Sequence, residues 1–322
     1  MSALTDYRTS MVQIFWKYQN SCFGEQPELF ERPFALDGRP PVFLRSEAWR
    51  NVIIKPDGSD QERDRLLAKV PTGERHKWFG SMSSSQALAQ SIFGNLAVYG
   101  HLECLARIEA DEGMPLFGGA TITSQNFEME HKVTHLEEPR STRLDGYYSG
   151  DYQVAIECKF TEAEVGTCSR PRLRSNAPNY VSEYCNGTYT KQKGRTKRCS
   201  LAEIGVSYWD YVPNLFRWGN DTNLSPCPLN KNYQLIRNIL AVGVTPEKVV
   251  SLHTGHAVLI YDNRNPAFQE GGQGLAAYKE TRVALHEPDI LRKCSWQRIA
   301  KQIRSDGILP WLTECLEQKY GL

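Results

Sequence analysis

The apolar positions first fall into a clear rhythm after a run of serines at 83–85. Leu88, Ile92, Leu96, Tyr99 and Ala106 follow helical spacing, and the serines suit a helix start. The pattern predicts a long amphipathic helix, or a pair broken near Gly94 or Gly100, ending in a loop at 116–119. Farther on the period changes to two. Residues 143–148, a Ser-Gly-Asp turn at 149–151 and residues 152–160 predict a hairpin. In its second strand Val154, Ile156 and Cys158 point one way, and Ala155, Glu157 and Lys159 the other. Helical spacing returns near 233–240, an apolar strand is predicted at 256–262, and two helices near 296–303 and 310–318 close the chain. Residues 1–80 mix aromatic and charged side chains with turn signals such as PDGSD, and read as irregular with short elements. Helices before and after a hairpin-bearing sheet favour α/β or α+β over an all-β fold.

Length and charge narrow this picture. A chain of 322 residues can bury a large core, as one elaborated domain or two smaller ones. Lys and Arg number 38 against 37 Asp and Glu, so total charge argues for no polyanionic partner. Its distribution does. Between Cys168 and Cys199 lie Arg170, Arg172, Arg174, Lys191, Lys193, Arg195, Lys197 and Arg198, with Glu183 the only acid. Tyr180, Tyr184 and Tyr189 are interleaved with them, so the segment could neutralise phosphates and stack on unpaired bases; a solvated charge run is the competing explanation. No signal-like leader and no apolar run of about 20 residues occurs, which predicts a soluble, cytoplasmic protein without a membrane partner. That setting disfavours structural disulfides for the nine cysteines.

Asp145, Glu157 and Lys159 carry the candidate chemistry. Two residues apart on a strand, Glu157 and Lys159 share a face. Asp145 joins them if the hairpin loop has an odd number of residues: pairing 147 with 153 puts 145 beside 155, with 157 a diagonal neighbour at roughly 7–8 Å between Cα atoms. Two carboxylates could hold Mg²⁺ or Mn²⁺, and the lysine could orient a water or face the attacked phosphate. A solvent-facing hairpin carrying Glu and Lys is the plain alternative.

LD-x₁₁-ECK resembles the PD-(D/E)xK motif of restriction-endonuclease-like nucleases, with Leu144 in place of the proline. WFGSMSSSQALAQSIFGNL, IECKFTE, YWDYVPNLFRW and HAVLIYDNRNPAF extend the similarity to a group of bacterial proteins in that superfamily. The resemblance implies an α/β core with a mixed central sheet flanked by helices, in residues 81–322, behind an N-terminal elaboration at 1–80. It implies metal-dependent DNA hydrolysis with Asp145 and Glu157 as metal ligands and Lys159 beside them. It further implies an acidic residue on the preceding helix, matched by Glu103, which could instead pair with Arg107. A glutamine on a following helix is matched by Gln234, although a solvent-facing Gln is the commoner arrangement.

Cys168, Cys185, Cys199 and Cys227 stand in loop-like sequence with 16, 13 and 27 residues between them. A metal-bound subdomain at 165–230, holding a [4Fe-4S] cluster or Zn²⁺, would explain them, and their spacing does not choose between the metals. Cys22, Cys104, Cys158, Cys294 and Cys315 read as structural, as do His253 and His256. The reading is a DNA-cutting enzyme, single- or double-strand specific, with self-association as a homodimer or a defence or repair partner left open. Its rival is a nucleic-acid-binding module that does no chemistry.

Overall fold

The computed structural model describes residues 2–32, 38–139 and 141–322. Five strands form one mixed sheet in the order β1–β2–β3–β4–β5: β1 (Phe127–Lys132), β2 (Arg143–Tyr148), β3 (Gln153–Cys158), β4 (Gly255–Tyr261) and β5 (Leu291–Ser295). The first three run antiparallel to one another, and β3, β4 and β5 run parallel. Helices cover both faces, giving the expected restriction-endonuclease-like α/β architecture. β4 is buried along its whole length, as a near-continuous apolar run requires of a central strand.

Alternation along β3 sorts residues between two cores. Val154, Ile156 and Cys158 join one hydrophobic cluster, and Ala155 joins the other. The first is roofed by α1 (Ala3–Phe23), by the segment from α3 (Ser85–Ala89) to α4 (Asn95–Val98), and by α8 (Trp296–Ser305) and α9 (Pro310–Tyr320). A shorter helix, α2 (Asp60–Leu67), packs its Leu66 beside α4. The second core lies under α5 (Tyr208–Leu215), α6 (Tyr233–Gly243) and α7 (Gln273–Ala284).

The amino-terminal region departs from its irregular reading, because α1 is 21 residues long. Ser2 caps it by accepting from the Thr5 amide, and Tyr7, Met11 and Phe15, four residues apart, bury one stripe. Phe15 meets Phe160 and Tyr320 edge-on, which fastens this helix beside the end of β3. The 85–98 helix contains a π-helical turn at Gln90–Gly94. It ends where Gly100 turns left-handed at φ 72°, and the His101 amide reaches back to the Leu96 carbonyl.

Candidate active site

The β2–β3 register pairs Gly146 with Ile156 and Tyr147 with Ala155, so Asp145 falls directly opposite Glu157. The loop between the Tyr148–Val154 pair has five residues, so the odd-loop condition is met. The offset differs from expectation by two residues, and the two carboxylates face one another instead of lying diagonally. β1 extends the row: Met129 pairs with Gly146 and His131 with Leu144, which puts Glu130 opposite Asp145. Glu130 takes a left-handed φ of 53°. Its Oε1 accepts from Gln86 Nε2 at 2.5 Å, tying the row to α3.

Lys159 Nζ donates to Glu157 Oε1 at 2.6 Å and to Gln234 Oε1 at 3.2 Å. Asn238 Nδ2 donates to Glu157 Oε2 at 3.0 Å, so α6 presents Gln234 and Asn238, four residues apart, to the ion pair. The pair is nearly dry, with side-chain exposures of 10% for Lys159 and 2% for Glu157. The backbone beneath it is pinned from several elements. The Lys159 amide donates to Ile260, Trp296 Nε1 donates to the Lys159 carbonyl at 2.9 Å, and Asn265 Nδ2 donates to the Phe160 carbonyl at 2.8 Å.

Burial and neighbouring charges shift the proton affinities of Asp145, Glu130 and Lys159. Burial, then the charges of Glu157 and Glu130, raise the Asp145 carboxyl well above its ordinary value, against the pull of Lys159 and the Cys158 amide. Burial pushes Glu130 up to about 7 despite its bond from Gln86. Lys159 is raised: burial opposes its charge, but the Glu157, Glu162 and Asp145 carboxylates outweigh it.

Gly166 holds the Gln234 side chain in place. It has φ 108°, and a Cβ there would lie 2.3 Å from Gln234 Oε1. Gly166→Ala should therefore dislodge Gln234 from Lys159 and destabilise the protein by about 1–3 kcal/mol. Thermal unfolding measures the cost, and an unchanged melting temperature would contradict it.

Several expectations are corrected. Among the described residues, no group of three or more His, Cys, Asp or Glu side chains is arranged to hold a metal ion. The expected Mg²⁺ or Mn²⁺ centre is corrected by that finding: both Glu157 oxygens accept, from Lys159 and Asn238, and Asp145 Oδ2 accepts from the Cys158 amide at 2.6 Å. The [4Fe-4S] or Zn²⁺ site is corrected by the same finding. Cys168, Cys185, Cys199 and Cys227 do line one cavity of about 20 Å³, and all are free. Burial pushes Cys168 up to about 11 and Cys227 up to about 12, and raises Cys199 too.

Glu103 does not face inward. It lies exposed on the 3₁₀ turn Leu102–Arg107, because the chain leaves the helical spacing at Gly100 and buries Leu102, Cys104 and Leu105 instead. Arg107 pairs with Asp306, not Glu103. Tyr189 is buried and stacked on Trp209 with centroids 3.5 Å apart, whereas Tyr180 and Tyr184 stack on each other in partly exposed positions. Within the basic segment Arg170 pairs with Glu183, while Arg174, Lys191, Lys193 and Lys197 are exposed. His256 is structural as expected. Its Nε2–H donates to the Leu116 carbonyl, Nδ1 accepts from the Tyr152 hydroxyl, and burial pulls its pKa down to about 3.

Glu130, Gln86 and Asn238 escaped the sequence reading. Asn238 left a signal, as a lone polar residue within the apolar stripe of α6. Glu130 left none, since its left-handed backbone is not written in FEMEHK.

A mixed five-stranded sheet with an aspartate and an E-x-K pair facing each other across neighbouring strands defines a restriction-endonuclease-like α/β core. The chain belongs to the REase-ARP family, described as Restriction Endonuclease associating with ARP, whose model matches residues 14–321. No curated protein and no solved structure matches it. Among the described residues no helix is long and apolar enough to cross a membrane.

Proposed function

We propose that this protein is a nuclease that hydrolyses DNA phosphodiester bonds at the Asp145, Glu157 and Lys159 cluster. The buried Lys159–Glu157 pair facing Asp145 carries the proposal, because an aspartate opposite an E-x-K pair on neighbouring strands is the arrangement of a restriction-endonuclease-like site. The family's description as a restriction endonuclease supports DNA as the substrate. Lys159, kept cationic, faces the attacked phosphate. Water attacks phosphorus, and its proton passes to the Asp145 carboxylate, whose raised proton affinity suits it to that task. The P–O ester bond breaks, and the leaving oxygen takes a proton from solvent. Gln234 and Asn238 hold Lys159 and Glu157 in register. The exposed lysines and arginines of 168–199 grip the backbone. In this reading residues 81–322 are the nuclease core, residues 1–80 elaborate it, and Glu103 takes no part in the reaction.

A second reading, binding without cleavage, is favoured by the internal commitment of the carboxylate oxygens. One assay separates them. Linear and circular duplex, single-stranded DNA and RNA are incubated with the protein, with and without divalent cations. Cleavage of DNA, lost by at least about 100-fold in Asp145→Asn and Glu157→Gln, is the expected result. DNA binding shared by wild type and Asp145→Asn, with no cut under any condition, would select the second reading.

A further inference from the structure

Helices α1 and α9 pack against each other with opposite chain directions, and their contacts climb one helix while descending the other. Ile14 Cδ1 lies 3.6 Å from where a Cβ on Gly321 would stand, Phe15 meets Tyr320 edge-on with centroids 6.2 Å apart, and Lys319 Nζ sits 5.6 Å from the centre of the Tyr18 ring. Residues one helical turn apart share a face. From the Tyr18–Lys319 contact, the next turn along α1 brings Cys22 and the next turn back along α9 brings Cys315, so the two thiols form the following rung of the same seam. A cavity of about 710 Å³ opens along this seam. Cys22 lines it, as do Glu314 and Gln318, which flank Cys315 in sequence.

Both thiols are free, Cys22 exposed and Cys315 half-buried. Their electrostatic surroundings agree with the rung. Burial, followed by the neighbouring Cys22, raises the Cys315 thiol, and after burial both sulfurs act on the proton affinities of Tyr18 and Lys319. Lys319 is itself held, donating to the backbone and side-chain oxygens of Asn51, which anchors α9 where the seam passes. Two cysteines that face each other across packed helices, reached through an open cavity, are a pair that an oxidant can join.

We propose that Cys22 and Cys315 are a redox pair that hydrogen peroxide closes into a disulfide, stapling α1 to α9. The pair lies outside the catalytic row, and the inference does not depend on the nuclease reading. Cys22, the exposed partner, attacks one peroxide oxygen as its thiolate. The O–O bond breaks, hydroxide leaves and takes up a proton as water, and Cys22 is oxidised to the sulfenic acid. Cys315 then attacks the Cys22 sulfur as its thiolate, the S–O bond breaks, and a second water departs. The two thiols give up two electrons and two protons, and one peroxide becomes two waters. A dithiol reverses the bond by exchange and ends as its own disulfide. The staple ties together two helices that converge on one ring, because Phe15 and Tyr320 both meet Phe160 edge-on, next to Lys159 in sequence.

The test uses the full chain, reduced and then exposed to hydrogen peroxide at low protein concentration. It is alkylated and digested for mass mapping, and its thermal unfolding is followed beside that of Cys22→Ser and Cys315→Ser. The expected product is a monomer in which the Cys22 and Cys315 peptides are joined and lighter by the two lost hydrogens. Its melting temperature should rise by about 5–10 °C, because the bond closes a loop over most of the unfolded chain, and should fall back with dithiothreitol. Oxidation should not raise the melting temperature of either variant. The mapping is done on the wild-type chain, so it decides the matter even where a variant folds poorly. Both thiols still open to alkylation, Cys22 recovered as sulfinic acid beside an alkylated Cys315, Cys22 joined to any other cysteine, or a linkage only between two chains would each overturn the inference.

Discussion

Lys159→Met should destabilise the protein by about 3–5 kcal/mol near neutral pH and reduce DNA cleavage by about 100-fold or more. Methionine fills much of the lysine's volume, so packing is largely kept and charge is what changes. The variant leaves Glu157, with 2% of its side chain exposed, facing Asp145 without the cation that balances both. The cost should depend on pH, and its sign follows from the carboxylates. Asp145 already has a raised proton affinity in the wild type through burial, Glu157 and Glu130, and removing Lys159 takes away the main opposing charge. A group whose folded pKa lies above its unfolded value contributes stability that is complete below the unfolded value and lost as pH rises through the folded one. The Lys159→Met deficit should therefore be small near pH 4, where carboxylates take up protons in either state, and should grow through neutrality. Urea denaturation at several pH values measures it. A deficit independent of pH would mean that the lysine acts here through packing and not through charge.

The faces of the candidate site were legible in the sequence, and their offset was not. Alternation fixed Glu157 and Lys159 on one side of β3, and an odd loop brought Asp145 to meet them. Pairing 147 with 153 and pairing 147 with 155 both satisfy that parity. What separates them is long-range: β3 pairs with β4 from Gln153–Gly255 onward, and the Asp145 side chain takes the Cys158 amide. Helices α6, α8 and α9 and strand β4 announced themselves through sustained periodicity. By contrast β1 and β5 are short edge strands of mixed polarity, and α1 spreads its buried residues among charged ones. Glu103 shows the limit of extrapolating a period, because Gly100 redirects the chain before the stripe reaches it. The four loop cysteines do gather, as their shared setting implied, but no metal-holding group forms among the described residues, and burial raises the thiols of Cys168, Cys199 and Cys227, a property that spacing does not carry.

Glu130→Gln should stabilise the folded protein at alkaline pH and have little effect in acid. The Glu130 carboxyl is raised from 4.5 to about 7 by burial first, with Glu157 and Glu74 adding to the rise and Gln86 and Arg143 opposing it. Below the unfolded value Glu130 is protonated in both states and behaves like the glutamine that replaces it. As pH rises through about 7 the folded state must hold a charge that burial and its neighbours disfavour, and stability falls. The full shift would correspond to about 3 kcal/mol, so with partial exposure about 1–3 kcal/mol is expected near pH 8. The amide oxygen introduced by the substitution can still accept from Gln86, so the link to α3 survives and the charge alone is tested. Paired denaturation curves at about pH 5 and pH 8 decide it. A variant less stable than wild type at the higher pH would mean that the Glu130 charge is wanted in the free protein, and that the row of three carboxylates is better balanced than their burial implies.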